Sequence, residues 1–410
     1  MQSTPNELRT GVILPGPPLE SADPDGRIGQ RIPELDGLRG VAILLVLIWH
    51  YFVGLISATD FPVLDHFLGT ALSTTWSGVD MFFVLSGFLI GGILIDQRTS
   101  PSFFRTFYIR RVCRILPAYY LLIGLFLVAA ACGLSRQPRF DWLFERTYPI
   151  WSYATFTQSF TMLSGRALGG SWLSPTWSLA IEEQFHLVLP LFVYICSPRK
   201  LPYFLAALVF LAPVLRVLIA FAWPDCSLAG FLLTPCRADA LLLGVLGAWA
   251  WRVPAIVGNL RRNAHCLYWV LGALFCGVAV MAWKRISAVS LFSCFFGYAW
   301  LAIFYLVTVV VCLVEKHGLV SWLVRHALIR KLGVISYGVY LLHLPVSGLC
   351  HGLIRGEPPK ITDMKSAGVT LLALLVTLTL AKLSFVFFEK PIIDLGHNYR
   401  YAKSRSEAAA

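Results

Sequence analysis

The sequence predicts an all-α fold, a polytopic integral-membrane helical bundle of about ten transmembrane helices with both termini on the cytoplasmic side. Three observations predict it. The chain is 57% hydrophobic and only 14% charged, with mean hydropathy +0.70, whereas a soluble domain carries about a quarter charged residues. Apolar runs of roughly 20 residues, enough to cross a bilayer, recur from Gly37 to Phe388. Lys and Arg gather in short clusters between alternate runs, the asymmetry that sets membrane orientation.

The expected spans are 38–57, 78–95, 115–133, 177–196, 201–223, 238–251, 267–283, 289–314, 333–352 and 367–388. The sixth is the shortest. With the N-terminus inside, the cytoplasmic segments hold Arg98, Arg105, Arg110, Arg111 and Arg114, then Arg199 and Lys200, then Arg252, Arg261 and Arg262. Lys316, Arg325, Arg330, Lys331, Lys390, Arg400, Lys403 and Arg405 complete them. The opposite side holds about half as many cations. This scatter also accounts for the net charge of +12 and excludes a nucleic-acid partner, because no polar domain collects the basic residues. The expected partner surface is the lipid bilayer.

Residues 1–30 are polar and rich in Pro and Gly, and read as a disordered cytoplasmic tail. A membrane domain follows over 31–395, and 396–410 reads as a second cytoplasmic tail. No apolar h-region of a cleavable signal precedes the first span. Ten cysteines form no CxxC and no metal pattern, so no metal is expected. Cys226 and Cys236 flank one short outer loop, where they either form a disulfide or fill helix ends.

Ionisable residues inside spans cost at least ~2.5 kcal/mol each on insertion scales, which makes them functional candidates. The first span carries Arg39 at its start and His50 eleven residues on. At about 100° per residue, eleven steps are three turns plus roughly 20°, so both face one way, about 16 Å apart along the axis. An imidazole suits proton removal from a hydroxyl near neutral pH. A guanidinium on the same face suits an anionic donor, and the separation is near the reach of a pantetheine arm. The structural alternative is an interfacial anchor plus a hydrogen-bonded core histidine.

Asp80 opens the second span, placed to orient a histidine or to meet a cation, and Ser86 with Gly87 reads as helix packing. Arg111 and Arg114 are three apart and share a helical face, an arrangement suited to phosphate oxygens or to a positive-inside anchor. Glu182 and Glu183 stand about one turn into the fourth span and point about 100° apart, so separate partners are expected. Arg216 lies in the fifth span, Arg237 and Asp239 begin the sixth, and His343 is central in the ninth. Lys382 and Glu389 fall in the tenth. Arg237 and His343 are read as substrate contacts or structural buried charges.

Seven blocks in order resemble the bacterial acyltransferase-3 family: RIPELDGLRGVAILLVLIWHYF, GVDMFFVLSGFLI, YIRRVCRILPAYY, PTWSLAIEEQFHLVLPLF, CRADALLLGVL, LGVISYGVYLLHLPV and FFEKP. The resemblance covers almost the whole chain. It implies a ten-span inner-membrane enzyme that takes acyl groups, often acetyl, from acyl-CoA as co-substrate, with no permanently bound cofactor. Implied acceptors are hydroxyls of cell-surface glycans, lipids or macrolides.

Carried over, the family's Arg-then-His motif falls on Arg39 and His50, its RxxR motif on Arg111 and Arg114, and its paired acids on Glu182 and Glu183. Relatives commonly have EEQFY where this chain has EEQFH, so His186 is a departure that touches no assigned role. The implied roles are Arg39, Arg111 and Arg114 for acyl-CoA, His50 as general base or acyl carrier, and Asp80 or a fourth-helix Glu as its orienter. No oxyanion donor is identified. Some relatives carry a further esterase domain; with the sequence ending at Ala410, direct delivery or a separate partner is expected. A transporter using the buried charges as a relay is the rival reading, although no repeated halves are visible.

Overall fold

The computed structural model describes residues 32–56, 58–223 and 228–402. Residues 1–30, 403–410 and Cys226 lie outside that range, and with them the N-terminal tail and the Cys226–Cys236 pairing.

Ten helices build the bundle: α1 (Pro33–Ile48), α2 (Gly78–Asp96), α3 (Phe103–Ala131), α4 (Thr176–Ile195), α5 (Leu201–Ala222), α6 (Thr234–Ala250), α7 (Ala264–Trp283), α8 (Tyr298–Val314), α9 (Ser336–Ile354) and α10 (Met364–Ser384). Among the described residues, nine segments are long and apolar enough to cross a membrane. Helix α6 and the short helix Pro254–Arg262, bent by 94° at a short break, make a tenth where the pair counts as one span. This bent pair falls where the sixth span is expected. The protein is a polytopic membrane bundle without a sheet among the described residues, and its one backbone bridge joins Ile56 to Ile361.

Local chemistry sets the ends. Pro33 starts α1, where its missing N–H costs nothing. Asp363 caps α10 by accepting from the Ser366 backbone N–H at 2.7 Å, while Ser366 Oγ accepts from the Asp363 N–H at 3.0 Å. The Ser366 bonds and the Arg355 charge hold the Asp363 carboxyl below its ordinary range. The third span begins earlier than its apolar run: FYIRRVCRIL is already helical, so Arg105 to Arg114 project from the first turns of α3.

Among the described residues, three π-helical turns interrupt the crossings, at Trp49–Val53, Ser293–Gly297 and Phe385–Glu389. Such turns cluster at functional sites, and each one here carries a polar group: His50, the Cys294 carbonyl and Glu389.

Lipid supplies no hydrophobic force between helices, so close backbone approach has to hold them. Helices α2 and α6 meet this way. Gly87 lies against the Leu241 carbonyl and Gly244 against the Val84 carbonyl, where a Cβ on either glycine would strike main chain. The loop between α3 and α4 packs Leu143 onto Gly348 of α9.

At the opposite end, the helix Lys390–His397 and the strand of chain after it dock on α3. Arg110 Nε donates to the Tyr399 carbonyl at 2.9 Å, and Ser100 Oγ to the Ala402 carbonyl at 2.9 Å. The boundary read at residue 395 therefore falls inside a helix.

Candidate active site

The π-helical turn after α1 carries His50 and Tyr51. His50 Nδ1 donates to the Val46 carbonyl at 3.0 Å. A carbonyl can only accept, so the proton of the neutral ring is on Nδ1 and the lone pair is on Nε2. The same logic fixes His343 on α9, whose Nδ1 donates to the Tyr340 carbonyl at 2.6 Å and whose Nε2 is buried without a protein partner. The two rings meet edge to face with centroids 4.9 Å apart. His343 is fully buried, whereas His50 keeps part of its surface accessible.

Hydroxyls set the spacing of these helices. Tyr51 donates to the His343 carbonyl at 2.8 Å and shares a 2.8 Å bond with Thr377 of α10. Tyr340 donates to the Pro175 carbonyl at 2.9 Å and shares a 2.6 Å bond with Ser178 of α4. Four elements thus converge on the histidine pair through side-chain and backbone bonds, which fixes ring position more tightly than packing alone.

One turn along α4 from Ser178 lies a second cluster. Ser86 of α2 donates to Glu182 at 2.6 Å, and its Oγ is 3.1 Å from His186 Nε2. His186 Nδ1 is 3.2 Å from Glu183. Arg111 Nη2 lies 2.7 and 2.8 Å from the two His186 nitrogens and 3.8 Å from Glu182. Arg111 Nε is buried without a partner. Glu182, Glu183 and His186 bring ligand-type atoms within 4.8 Å of one another. The Arg111 guanidinium faces the same imidazole, so the group combines two carboxyls, an imidazole and a cation.

The third polar group is an ion-pair network. Arg237 Nη2 donates to Asp80 at 2.6 Å, both side chains being about 1% exposed. Tyr298, Phe83 and Phe231 surround the Arg237 guanidinium, the Tyr298 ring centre at 3.7 Å. Arg216 pairs with Asp239 at 2.7 Å and donates to the Cys294 carbonyl at 2.7 Å.

The sequence expectations sort against this geometry. His50 and His343 come together, which the sequence did not join. Asp80 was placed to orient a histidine or to meet a cation; it meets Arg237, on the far helix of a tight pair, and so is spent away from His50. Glu182 and Glu183 likewise serve Ser86, Arg111 and His186, not His50. Their expected separate partners converge on one imidazole, because His186 follows them by four and three residues on one helix face.

Gly87 does pack helices, but its neighbour Ser86 is a cluster member. Arg111 turns to α4, while the Arg114 charge acts on Glu389. Arg39 is half-buried on α1. The sequence reading missed Ser86, Tyr340, Ser178 and His186. The signal available for His186 was its own imidazole, one turn from a paired acid.

The acyltransferase domain that defines the acyltransferase-3 family matches residues 32–385. The chain is 29% identical over 385 residues to a putative peptidoglycan O-acetyltransferase, YrhL, of Bacillus subtilis, covering 90% of this chain and 56% of that protein. It is 26% identical over 383 residues to the peptidoglycan O-acetyltransferase OatA of Listeria monocytogenes, covering 88% and 56%. It is also 26% identical over 378 residues to the O-acetyltransferase OatA of Staphylococcus aureus, covering 90% and 58%. The chain spans just over half the length of these relatives. No solved structure matches it.

Proposed function

The chain belongs to the acyltransferase-3 family, and we propose that it is a membrane O-acyltransferase moving a short acyl group, acetyl first, from acyl-CoA to a glycan hydroxyl. The observation that carries the proposal is the histidine pair. His50 and His343 each spend Nδ1 on a backbone carbonyl, so each offers an Nε2 lone pair. Two adjacent acceptors suit a sugar, whose neighbouring hydroxyls donate side by side. His50, the accessible ring, takes the proton of the reacting hydroxyl as it attacks the thioester carbonyl. His343 holds the neighbouring hydroxyl. The relatives named as peptidoglycan O-acetyltransferases support a glycan acceptor.

Arg39, Arg111 and Arg114 form the donor side. In the cytoplasm-inside orientation, all three lie toward the cytoplasmic ends of α1 and α3, where acyl-CoA is available. Arg39 and Arg114 serve the nucleotide phosphates by charge. Arg111, drawn to α4 and one turn from Arg114, adds its unpartnered Nε to the same side. The enzyme then works in the bacterial inner membrane, with donor and acceptor approaching one buried centre.

The test is direct. The purified protein, incubated with radiolabelled acetyl-CoA and soluble glycan fragments, is expected to place label on sugar hydroxyls and release free CoA. Acetyl-CoA left intact with every glycan and lipid acceptor offered would sink the proposal and return the buried charges to a transport role.

A further inference from the structure

Among the described residues, α9 carries three buried polar atoms without a protein partner: Ser336 Oγ, His343 Nε2 and Ser347 Oγ. A helical Ser or Thr often returns its hydroxyl proton to the carbonyl one turn back, as Thr308, Thr370 and Thr379 do here. Ser336 and Ser347 do not, although each is only 1% exposed. The carbonyl one turn back from Ser347 is that of His343, which already accepts from Tyr51 at 2.8 Å. Buried polar groups left in this way mark a place for water or a ligand.

The three share one face of the helix. At about 100° per residue, seven steps from Ser336 to His343 are two turns less roughly 20°, and four more to Ser347 are one turn plus roughly 40°. They fall within an arc of about 40°, with His343 about 10 Å along the axis from Ser336 and Ser347 about 6 Å farther on. That face looks into the bundle. His343 meets His50 just past α1, while Tyr340, beside the same strip, bonds Ser178 of α4 and packs on Phe82 of α2.

Contacts with α1 set the order along this strip. Gly333, three residues before Ser336, lies so close to the Asp36 carbonyl that a Cβ would strike it, and His50 meets His343. Helices α1 and α9 therefore run parallel, and Arg39, Ser336 and the histidine pair follow one another from the same end. Ser347 lies past the pair, where its neighbour Gly348 takes Leu143 of the loop between α3 and α4. A thioester arm laid from Arg39 to His50 passes the level of Ser336. A glycan arriving from the loop end passes Ser347 before it reaches His343.

We propose that Ser336 and Ser347 are substrate-binding residues on the two sides of the histidine pair. Ser336 hydrogen-bonds an amide of the pantetheine arm, which carries its amides between the phosphates and the sulfur. Ser347 hydrogen-bonds a glycan hydroxyl beyond the one held by His343. This rests on the acyl-CoA and glycan reading above. A serine hydroxyl both donates and accepts, so it matches an amide through either its carbonyl or its N–H, and a sugar hydroxyl in either sense.

The experiment is steady-state kinetics of the full chain in detergent, with acetyl-CoA and soluble glycan fragments each varied in turn. Ser336→Ala is expected to raise KM for acetyl-CoA about 2- to 13-fold, the scale of one hydrogen bond, with KM for the glycan within about twofold of native. Ser347→Ala is expected to do the reverse. Thermal unfolding without substrate should stay at or above the native temperature in both variants, because alanine removes a polar group that has no partner. A serine that held helices together would lower it on replacement. Any other pattern in the two KM values, or a loss of stability in either variant, would overturn the role of that serine alone. Absence of CoA release from the native chain with every glycan offered would overturn the acyl-transfer reading as well.

Discussion

The imidazoles of His50 and His343, 293 residues apart in sequence, meet edge to face with centroids 4.9 Å apart and planes inclined by 62°. Each donates Nδ1–H to a carbonyl of the preceding helical turn, so helix backbone fixes both tautomers. The pair defines the place where chemistry is proposed.

Unequal roles follow for the two rings. His343→Asn keeps a donor for the Tyr340 carbonyl but removes the Nε2 acceptor. Losing one hydrogen bond of about 0.5–1.5 kcal/mol predicts a 2- to 13-fold fall in kcat/KM for the glycan. The fall should lie mainly in acceptor KM, read by varying acceptor at fixed acetyl-CoA. A kcat loss equal to that of His50→Ala would show that both rings share the proton transfer.

Breaking the Asp80–Arg237 pair should damage folding and leave chemistry alone. Either Asp80→Leu or Arg237→Met strands a buried charge, for which about 3–5 kcal/mol of destabilisation is typical. The double variant replaces both charges and should recover most of that loss. Thermal unfolding in detergent checks the stability, and acetyl transfer by the double variant checks the role. A stable double variant without transfer activity would return Asp80 to the reaction.

The two arginines of the α3 motif should separate kinetically. Arg114→Ala is expected to raise KM for acetyl-CoA several-fold with kcat nearly unchanged, as loss of uniform donor binding requires. Arg111→Ala is expected to lower kcat as well, since its Nη2 sits at His186 and its loss unpairs the cluster of Glu182, Glu183 and His186 between α2 and α4. Steady-state kinetics at saturating acceptor distinguish them. Identical KM effects with no change in kcat would place both on the phosphates.

Much of the fold was legible because crossing a bilayer imposes long apolar helices, and those are visible as runs. The α3 start was misplaced for the same reason. Hydropathy falls across FYIRRVCRIL, but helical geometry does not. The donor arginines and paired acids were visible as charges in apolar surroundings. Their partners were not, because a contact such as Ser86–His186 joins residues 100 apart and depends on helix rotation. The π-helical turn at Trp49–Val53 has no residue signature of its own. Asp80 shows the limit well: a charge near a helix end announces a partner, but only the Gly87–Gly244 contact between α2 and α6 makes that partner Arg237.

The central claim is that His50 removes the acceptor proton. The initial rate of glycan-dependent CoA release, measured for the native chain and for His50→Ala at saturating acetyl-CoA, tests it most directly. Loss of a general base predicts a fall of about 10²–10⁴-fold in a variant that still inserts and unfolds at the native temperature. A rate within about twofold of native, well short of the 1.36 kcal/mol that a tenfold change represents, would contradict it.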